Sequence, residues 1–432
     1  MNESNTTQRS LDNEVLDALF HQVKVWRVEL LLIAPPIVLA VWLYSRAGLV
    51  VAAAALTALV ALALGVANPR RVIFGVLHRS SVRRHLETAF SSLSGILSER
   101  PPKIKSITRT ALGDRVEVLL AKGTSIEDLV KMESVLASSL SVRQVRCRAN
   151  ESKRNVVTVS ITRDDPFAKE TPSPLLKAAR TCFWDATDLG VNEEGDVTSV
   201  PLVGRHAMLG GESGSGKSVT LHQLIASAAL DPETDLWLFD GKGVDLTVWR
   251  DCANAYVSWN LADAVANLER LVSLMEQHYE QLRERGLVKI TRGAGLRLQV
   301  VVVDELTVYL AGPDKVNSKR CYELLRDLVA RGRAAGFVVL TATQRPSTDT
   351  VPSSLRDLFG LRWALRCATR DSSDTILGAG WASEGYSASL INASARGVGF
   401  VLYDGVPEKL RSFSLSDEDL LLLAQRAERL RR

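Results

Sequence analysis

The sequence predicts an α/β protein built around a parallel sheet with helices on both faces. A small α+β domain and an N-terminal two-helix transmembrane hairpin are expected to precede the sheet. Three observations support this fold class. Short apolar strands alternate with amphipathic helices from about residue 175 onward, as is typical of a parallel sheet. A shorter alternation precedes residue 165, and two apolar runs lie near the N-terminus.

Length and composition set wide limits on the function. At 432 residues the chain has room for two or three domains, and 24% charged residues with 46% hydrophobic residues is an ordinary globular balance. A formal net charge of +4 is too small to indicate nucleic-acid binding by itself. The five cysteines form no C-x-x-C pair, which favours a reduced compartment without a metal site or disulfide framework: Cys147, Cys182, Cys252, Cys321 and Cys367.

Residues 28–67 are predicted to form the transmembrane hairpin. The run 28–44 is apolar apart from Glu29 and contains Pro35 and Pro36, while the run 48–67 carries no charge. Because about 20 apolar residues span a bilayer core of roughly 30 Å, the second run is long enough and the first is marginal. A cleaved signal peptide and a buried helical hairpin are the alternatives.

The charges beside the hairpin predict its orientation. Lys24 and Arg27 precede it, a cluster of arginines that begins at Arg70 follows it, and the turn holds only Arg46. Because positively charged flanks stay on the cytoplasmic side, both termini are expected in the cytoplasm. The predicted location is the cell membrane, with residues 1–27 as a cytoplasmic N-terminal segment.

Four segments are expected after the hairpin. Residues 68–107 are rich in lysine and arginine and are predicted to be a basic stalk or linker. Such a stretch could contact anionic lipid or DNA phosphate, and a solvated helix is the alternative. Residues 108–165 are expected to form the small α+β domain, residues 175–415 the sheet domain, and residues 416–432 a C-terminal helix.

The hydrophobic pattern also predicts individual strands and helices. The small domain is predicted to contain a strand at 115–120, a helix at 125–140 and strands at 142–149 and 156–161. The sheet domain is predicted to contain strands at 205–209, 235–239, 299–303, 337–343, 361–365 and 398–403, and long helices at 262–285 and 317–335.

Residues 211–218 match the phosphate-binding pattern G-x-x-x-x-G-K-[ST] at every defined position. The glycines let the backbone wrap a triphosphate with its N–H groups pointing inward. Lys217 can reach the β- and γ-phosphates, and the Ser218 hydroxyl can ligate Mg²⁺. An ordinary glycine-rich turn is the alternative. We expect ATP and Mg²⁺ as cofactors, with ATP bound by Gly211, Glu212, Ser213, Gly214, Ser215, Gly216, Lys217, Ser218 and Val219.

Two carboxylates, Asp304 and Glu305, directly follow the predicted strand 299–303. In phosphate-loop ATPases the first such carboxylate helps to hold Mg²⁺, and the second can polarise the attacking water. A strand tip places both beside the phosphate loop, at the carboxyl edge where ligands bind in such sheets. Gln344 follows the next strand and is expected to face the γ-phosphate, although a loop cap closed by Pro346 is the alternative.

Several strings together resemble the FtsK/SpoIIIE family of DNA translocases, over roughly residues 108–403. They are the phosphate loop, the Val-Val-Asp-Glu strand, Arg-Gly-Arg-Ala-Ala-Gly336, Ala-Thr-Gln-Arg-Pro-Ser347, Phe239-Asp-Gly-Lys-Gly-Val-Asp-Leu246 and Asp371-Ser-Ser-Asp-Thr-Ile-Leu377. The resemblance implies a RecA-like ring, a hexamer, that moves double-stranded DNA through its centre using ATP. It also implies that ATP lies between subunits and that a neighbour supplies an arginine, for which Arg331 and Arg333 are the candidates.

Two departures from the family are informative. The C-terminal helix is too short for the DNA-reading winged-helix module of the division and sporulation members. The compact layout looks more like the transfer proteins of actinobacterial mobile elements, which implies conjugative transfer or else chromosome segregation. A type VII protein secretion ATPase, a coupling protein for single-stranded DNA and a non-hydrolysing scaffold are the alternatives. Arg345 and the basic loop 283–297 are candidates for lining the pore.

Overall fold

The computed structural model describes residues 27–51, 53–57, 67–93, 96–110, 112–150, 153–344, 346–347 and 351–431. The chain divides between Asp164 and Asp165 into two compact units. Three predictions fall wholly or partly outside the described residues. They concern the N-terminal segment 1–27, part of the second apolar run, and Arg345.

The first predicted apolar run corresponds to helix α1, Arg27–Ala47, which contains Pro35 and Pro36. Residues 49–51 and 53–57 are also helical. Within the described part of the chain, a helix with both the length and the apolar character needed to cross a bilayer is not found. The transmembrane hairpin stays a prediction from the sequence.

The first unit contains a four-stranded antiparallel sheet in the order β1-β2-β4-β3. Ser125 caps the helix that follows β2, because its side chain and that of Asp128 exchange hydrogen bonds with each other's backbone N–H. The predicted single helix at 125–140 is divided at Met132, whose φ of −100° and ψ of 3° are not helical. The elements are α2 (Ala67–Ser91), α3 (Ile96–Glu99), β1 (Lys103–Arg109), β2 (Gly113–Leu119), α4 (Ile126–Lys131), α5 (Glu133–Ser139), β3 (Gln144–Asn150) and β4 (Lys153–Thr162).

The residues predicted as a basic stalk belong to this first unit. Helix α2 buries Val82, Leu86 and Phe90 completely or almost completely, and they join the same core as Val116 and Val159 of the sheet. Spacing of four residues places these three side chains on one face of the helix. The arginines between them occupy the other faces of the helix. A segment rich in charge therefore also contributes one face to the hydrophobic core. Strand β1, also within the predicted stalk, forms an edge of the sheet.

The second unit is built on a ten-stranded sheet in the order β6-β5-β14-β13-β12-β7-β11-β10-β8-β9. Its strands are β5 (Ala186–Asn192), β6 (Val197–Pro201), β7 (Ala207–Gly210), β8 (Thr234–Phe239), β9 (Ala255–Val257), β10 (Leu298–Val303), β11 (Phe337–Thr343), β12 (Leu361–Leu365), β13 (Val398–Leu402) and β14 (Glu408–Ser412). Its helices are α6 (Lys217–Ala229), α7 (Leu261–Glu284), α8 (Leu306–Leu310), α9 (Lys315–Arg331), α10 (Ser353–Arg356), α11 (Arg370–Leu377) and α12 (Asp417–Arg431).

This sheet is mixed, whereas the sequence predicted a parallel one. The strands from β12 to β9 in the order above are parallel, and β13, β14, β5 and β6 pair antiparallel. Short connections join β5 to β6 and β13 to β14, and only antiparallel neighbours can be joined so tightly. A turn at Gly195, where φ is +82°, was the available sequence signal for the first hairpin.

The parallel strands are buried on both faces, as their continuous apolar sequences predict. In β10, Val300 and Val302 join one hydrophobic core while Val301 and Val303 join the other. Every residue of β7, β10 and β11 is buried. The carboxyl ends of these strands are therefore fixed in position, and so are the starting points of the loops that follow them.

Candidate functional site

The phosphate-binding loop connects the carboxyl end of β7 to the first turn of α6. Gly214 and Gly216 have φ angles of +78° and +95°, a region that side chains other than glycine rarely adopt. A Cβ on Gly216 would also lie 2.4 Å from the backbone nitrogen of Gly397. The glycine pattern is therefore required by the backbone path at this point and by close packing.

Backbone hydrogen bonds with the end of β11 and with residues that flank β12 and β13 hold the loop in shape. Gly211 N–H donates to the carbonyl of Thr343 at 3.2 Å, and Glu212 N–H donates to the carbonyl of Arg366 at 3.0 Å. Gly397 N–H donates to the carbonyl of Ser215 at 2.8 Å. The side chain of Glu212 also forms an ion pair with Arg366. The loop is thus preformed by its neighbours in the sheet.

Lys217, the first residue of α6, is buried with 3% of its side chain exposed. Its Nζ lies 3.3 Å from the carbonyl oxygen of Asp304 and 3.5 Å from Oδ1 of the same residue. The tip of β10 therefore meets the phosphate loop, as the sequence predicts for strands whose carboxyl ends share one edge.

Asp304 is fully buried, and neither of its carboxylate oxygens accepts a hydrogen bond from the described residues. Burial raises the pKa of this carboxyl, and the nearby ammonium groups of Lys217 and Lys242 oppose that shift. A buried carboxylate without hydrogen bonds suits a cation, and Mg²⁺ prefers oxygen ligands such as carboxylate and hydroxyl. With Ser218 on the cavity wall nearby, the residues present fit Mg²⁺.

Glu305 joins the tips of two neighbouring strands. Its Oε1 accepts hydrogen bonds from the hydroxyls of Thr343 at 2.9 Å and Thr307 at 3.0 Å, and its Oε2 accepts from the Gln344 N–H at 2.9 Å. Glu305 is also the N-cap residue of α8. Hydrogen bonds on both oxygens therefore fix this carboxylate, which points toward the residue that the sequence predicts as the γ-phosphate sensor.

A cavity of about 440 Å³ lies against the phosphate loop. Gly211 and Ser215 are buried rather than on its wall, and Asp304 and Glu305 lie behind it. Most of the other predicted residues line it: Glu212, Ser213, Gly214, Gly216, Lys217, Ser218, Val219 and Gln344. The residues predicted to bind the triphosphate and the metal thus lie together with the two carboxylates at one place.

Residues 185–384 match the FtsK/SpoIIIE family model. This stretch is an FtsK/SpoIIIE family domain, and with its phosphate loop it is an ATPase domain of that motor family. Over 304 residues the chain is 26% identical to the DNA translocase FtsK of Staphylococcus aureus (strain Mu50 / ATCC 700699), a match that covers 64% of this chain and 38% of the relative.

Two further comparisons agree with the FtsK/SpoIIIE assignment. The DNA translocase FtsK of Lactococcus lactis subsp. cremoris (strain MG1363) is 27% identical over 380 residues, covering 79% of this chain and 47% of the relative. The chain therefore spans less than half the length of these relatives. A solved structure of the pCW3 conjugation coupling protein TcpA, in monomer form with ATPγS, matches with a TM-score of 0.54 and 18% identity. It covers 81% of this chain and 99% of TcpA, and shows a shared fold.

The second unit also brings to the cavity three basic residues that the sequence motifs did not predict as site residues. Lys242, Arg396 and Arg411 line it. Burial lowers the pKa of Lys242, but the hydrogen bond with Asp245 and the charge of Asp304 outweigh burial and raise it. Lys242 lies within the string 239–246, which is part of the family resemblance. That string, in the loop after β8, is the sequence signal that could have identified this lysine as a site residue.

Arg331 and Arg333 lie at the opposite edge of the FtsK/SpoIIIE domain from this cavity. Both precede β11, and its seven residues separate them from the site by roughly 20 Å of extended chain. Arg331 is 42% exposed and ion-paired with Glu276 and Asp327, each at 2.5 Å. Arg333 is exposed. Neither side chain joins the phosphate site of its own chain.

Proposed function

We propose that this protein is an ATP-driven translocase of double-stranded DNA that works as a ring of identical subunits. The observation that carries the ATPase part is the convergence of Lys217, Asp304 and Glu305 beside one cavity at the edge of the sheet. The proposal that DNA is the substrate rests on the relatives, which are described as DNA translocases.

Each residue has a defined role in this proposal. The backbone N–H groups of the phosphate loop hold the triphosphate, and Lys217 moves from Asp304 to the β- and γ-phosphates. Ser218 and Asp304 would hold Mg²⁺, whose charge would offset that of the phosphate oxygens. Glu305, held in place by the hydroxyl of Thr343, orients the attacking water and accepts its proton. Gln344 reports the γ-phosphate to the loop that follows it.

The position of the arginines supports a ring. Stabilising the transferring phosphoryl group calls for a positive charge near the γ-phosphate, which in related motors is supplied by an arginine. Because Arg331 and Arg333 lie at the far edge of their own sheet, either can act only on the site of a neighbouring subunit. A hexamer is the assembly that we propose, with ATP between subunits.

Membrane anchoring is proposed from the sequence alone. The apolar runs within residues 28–67 support it, and so do the arginines that follow them. The proposed location is the cell membrane, with the ATPase domain in the cytoplasm, and the proposed process is conjugative DNA transfer or chromosome segregation. Extraction of cell membranes with carbonate and with detergent tests the anchor, since an anchored chain is released only by detergent.

ATP turnover by the purified full-length chain tests the substrate. We expect strong stimulation by linear double-stranded DNA and much weaker stimulation by single-stranded DNA of equal nucleotide concentration. Stimulation by single strands alone would favour a single-stranded DNA coupling protein. Stimulation by secreted peptides without DNA would favour a protein secretion ATPase. The Lys217→Ala variant is the matched control for contaminating activity.

A further inference from the structure

Lys242 brings a second ammonium group to the tip of β10, from the loop that follows β8. Its Nζ lies 2.5 Å from Oδ2 of Asp245 and 3.8 Å from Oδ2 of Asp304. The side chain is 31% exposed and lines the phosphate cavity. Asp304 is therefore flanked by two lysines, with Lys217 near one oxygen and Lys242 near the other.

The loop that carries Lys242 is fixed in place. The buried carboxylate of Asp240 accepts hydrogen bonds from the N–H groups of Lys242 at 3.2 Å and Gly243 at 2.8 Å, and from the Tyr256 hydroxyl at 2.9 Å. A Cβ on Gly241 would lie 3.1 Å from Val308 of α8, so the turn packs closely against the helix that follows Glu305. The lysine is held toward Asp304 by its own backbone.

Triphosphate binding affects Lys217 and Lys242 differently. Lys217 is needed at the phosphates, as the phosphate-loop pattern requires. Lys242 stands on a separate loop and stays beside Asp304, held by Asp245. Removing a positive charge beside a buried carboxylate is strongly unfavourable, because the cost of taking that carboxylate out of water is then less well offset.

We propose that Lys242 is a counter-cation of Asp304, a positioning residue that keeps this carboxylate in place while the metal is absent. The inference rests on the proposed function, in which Asp304 later holds Mg²⁺. Once the metal is bound, its charge compensates Asp304 directly. In the empty site Lys242 therefore shares the compensation of Asp304 with Lys217, and its contribution to stability is smaller in the loaded site.

Thermal unfolding of the full-length chain tests this directly. Lys242→Met should lower the midpoint of the empty protein by about 5 °C, while Lys242→Arg, which keeps the charge, should lower it much less. Mg²⁺ with ATPγS should bring the thermal midpoint of Lys242→Met close to that of wild type. Lys315→Met, at an exposed lysine at the start of α9, is the control and should have no effect. An equal deficit with and without Mg²⁺ and nucleotide would overturn the proposal.

A double-mutant cycle in the empty protein separates Asp304 from Asp245. In an Asp304→Asn background, Lys242→Met should lower the free energy of unfolding by less than half as much as it does alone. The reason is that no buried charge is then left to compensate. If Lys242→Met does not fold by itself, Asp304→Asn must restore folding. If Lys242→Met destabilises the Asp304→Asn variant as much as it destabilises wild type, the proposal is contradicted. The cycle uses no ligand, so failure of wild type to bind Mg²⁺ and ATPγS would count against the proposed function alone.

Discussion

The carboxylate of Glu305 accepts a 2.9 Å hydrogen bond from the hydroxyl of Thr343, so side chains link the tips of β10 and β11. The same carboxylate accepts from the Gln344 N–H, also at 2.9 Å. The residue proposed to activate water is thus held by the strand that carries the proposed γ-phosphate sensor. The orientation of Glu305 and the position of Gln344 are therefore connected through one carboxylate.

Thr343→Val tests this connection. Valine keeps the shape of the buried side chain and removes the hydroxyl that holds Glu305, so we expect turnover to fall roughly tenfold with little change in ATP affinity. Steady-state kinetics with the kcat and KM values separated provide the measurement. Thr341→Val, on the same buried strand with a hydroxyl that faces the Ala207 carbonyl at 3.4 Å, is the matched control. Equal losses in both variants would show a strand defect instead.

Glu305→Gln should trap bound ATP. Glutamine is nearly isosteric and still accepts from Thr343, but it cannot take a proton from water, so turnover should fall by about 100-fold or more. The amount of unhydrolysed ATP that remains bound after gel filtration measures the trapped state. An unchanged hydrolysis rate would remove Glu305 from its proposed role.

Lys217→Ala should abolish ATP turnover, with a loss of at least about 100-fold, because the positive charge at the β- and γ-phosphates is removed. Far-UV circular dichroism should remain that of the folded protein. The thermal midpoint should fall, since Asp304 loses one of its two neighbouring ammonium groups. Normal turnover in this variant would refute the assignment of the phosphate loop.

Gly216→Ala should destroy nucleotide binding. The new Cβ would clash with the Gly397 nitrogen at 2.4 Å and would also strain a backbone with φ of +95°. Gly204→Ala separates these effects, because Gly204 has φ of +81° but nothing within 4 Å of the added atom. That control should cost only the strain, about 1–2 kcal/mol, and retain binding of a fluorescent ATP analogue. Equal binding by both variants would argue against the tight docking of Gly397.

A mixing experiment tests action between subunits and separates the two arginines. Arg333→Ala should bind ATP but lose about 100-fold or more in turnover, whereas Arg331, already held by Glu276 and Asp327, should tolerate replacement. Inactive Arg333→Ala chains mixed with inactive Lys217→Ala chains should regain activity, because some sites then combine an intact Lys217 with a neighbour's intact Arg333. No recovery in the mixture would contradict a shared site.

Much of the central fold was predictable because its signals are local. Strands β11 and β12 have the predicted bounds, since a continuous apolar run between polar loops marks a strand buried on both faces. Helix α9 ends at Arg331 rather than at the predicted residue 335, because the chain turns at Gly332 and reaches Gly336 with φ of +86°. Strands β5, β6 and β14 were missed because their sequences are partly polar.

The sequence by itself determined the phosphate loop and the residues at the tips of β10 and β11, because each is a short motif whose chemistry depends on adjacent residues. Only the tertiary structure decided which distant groups meet. Lys242 lies beside Asp304, and Gly397 lies against the phosphate loop. Such contacts depend on the order of strands in the sheet, which the local pattern of apolar and polar residues does not encode.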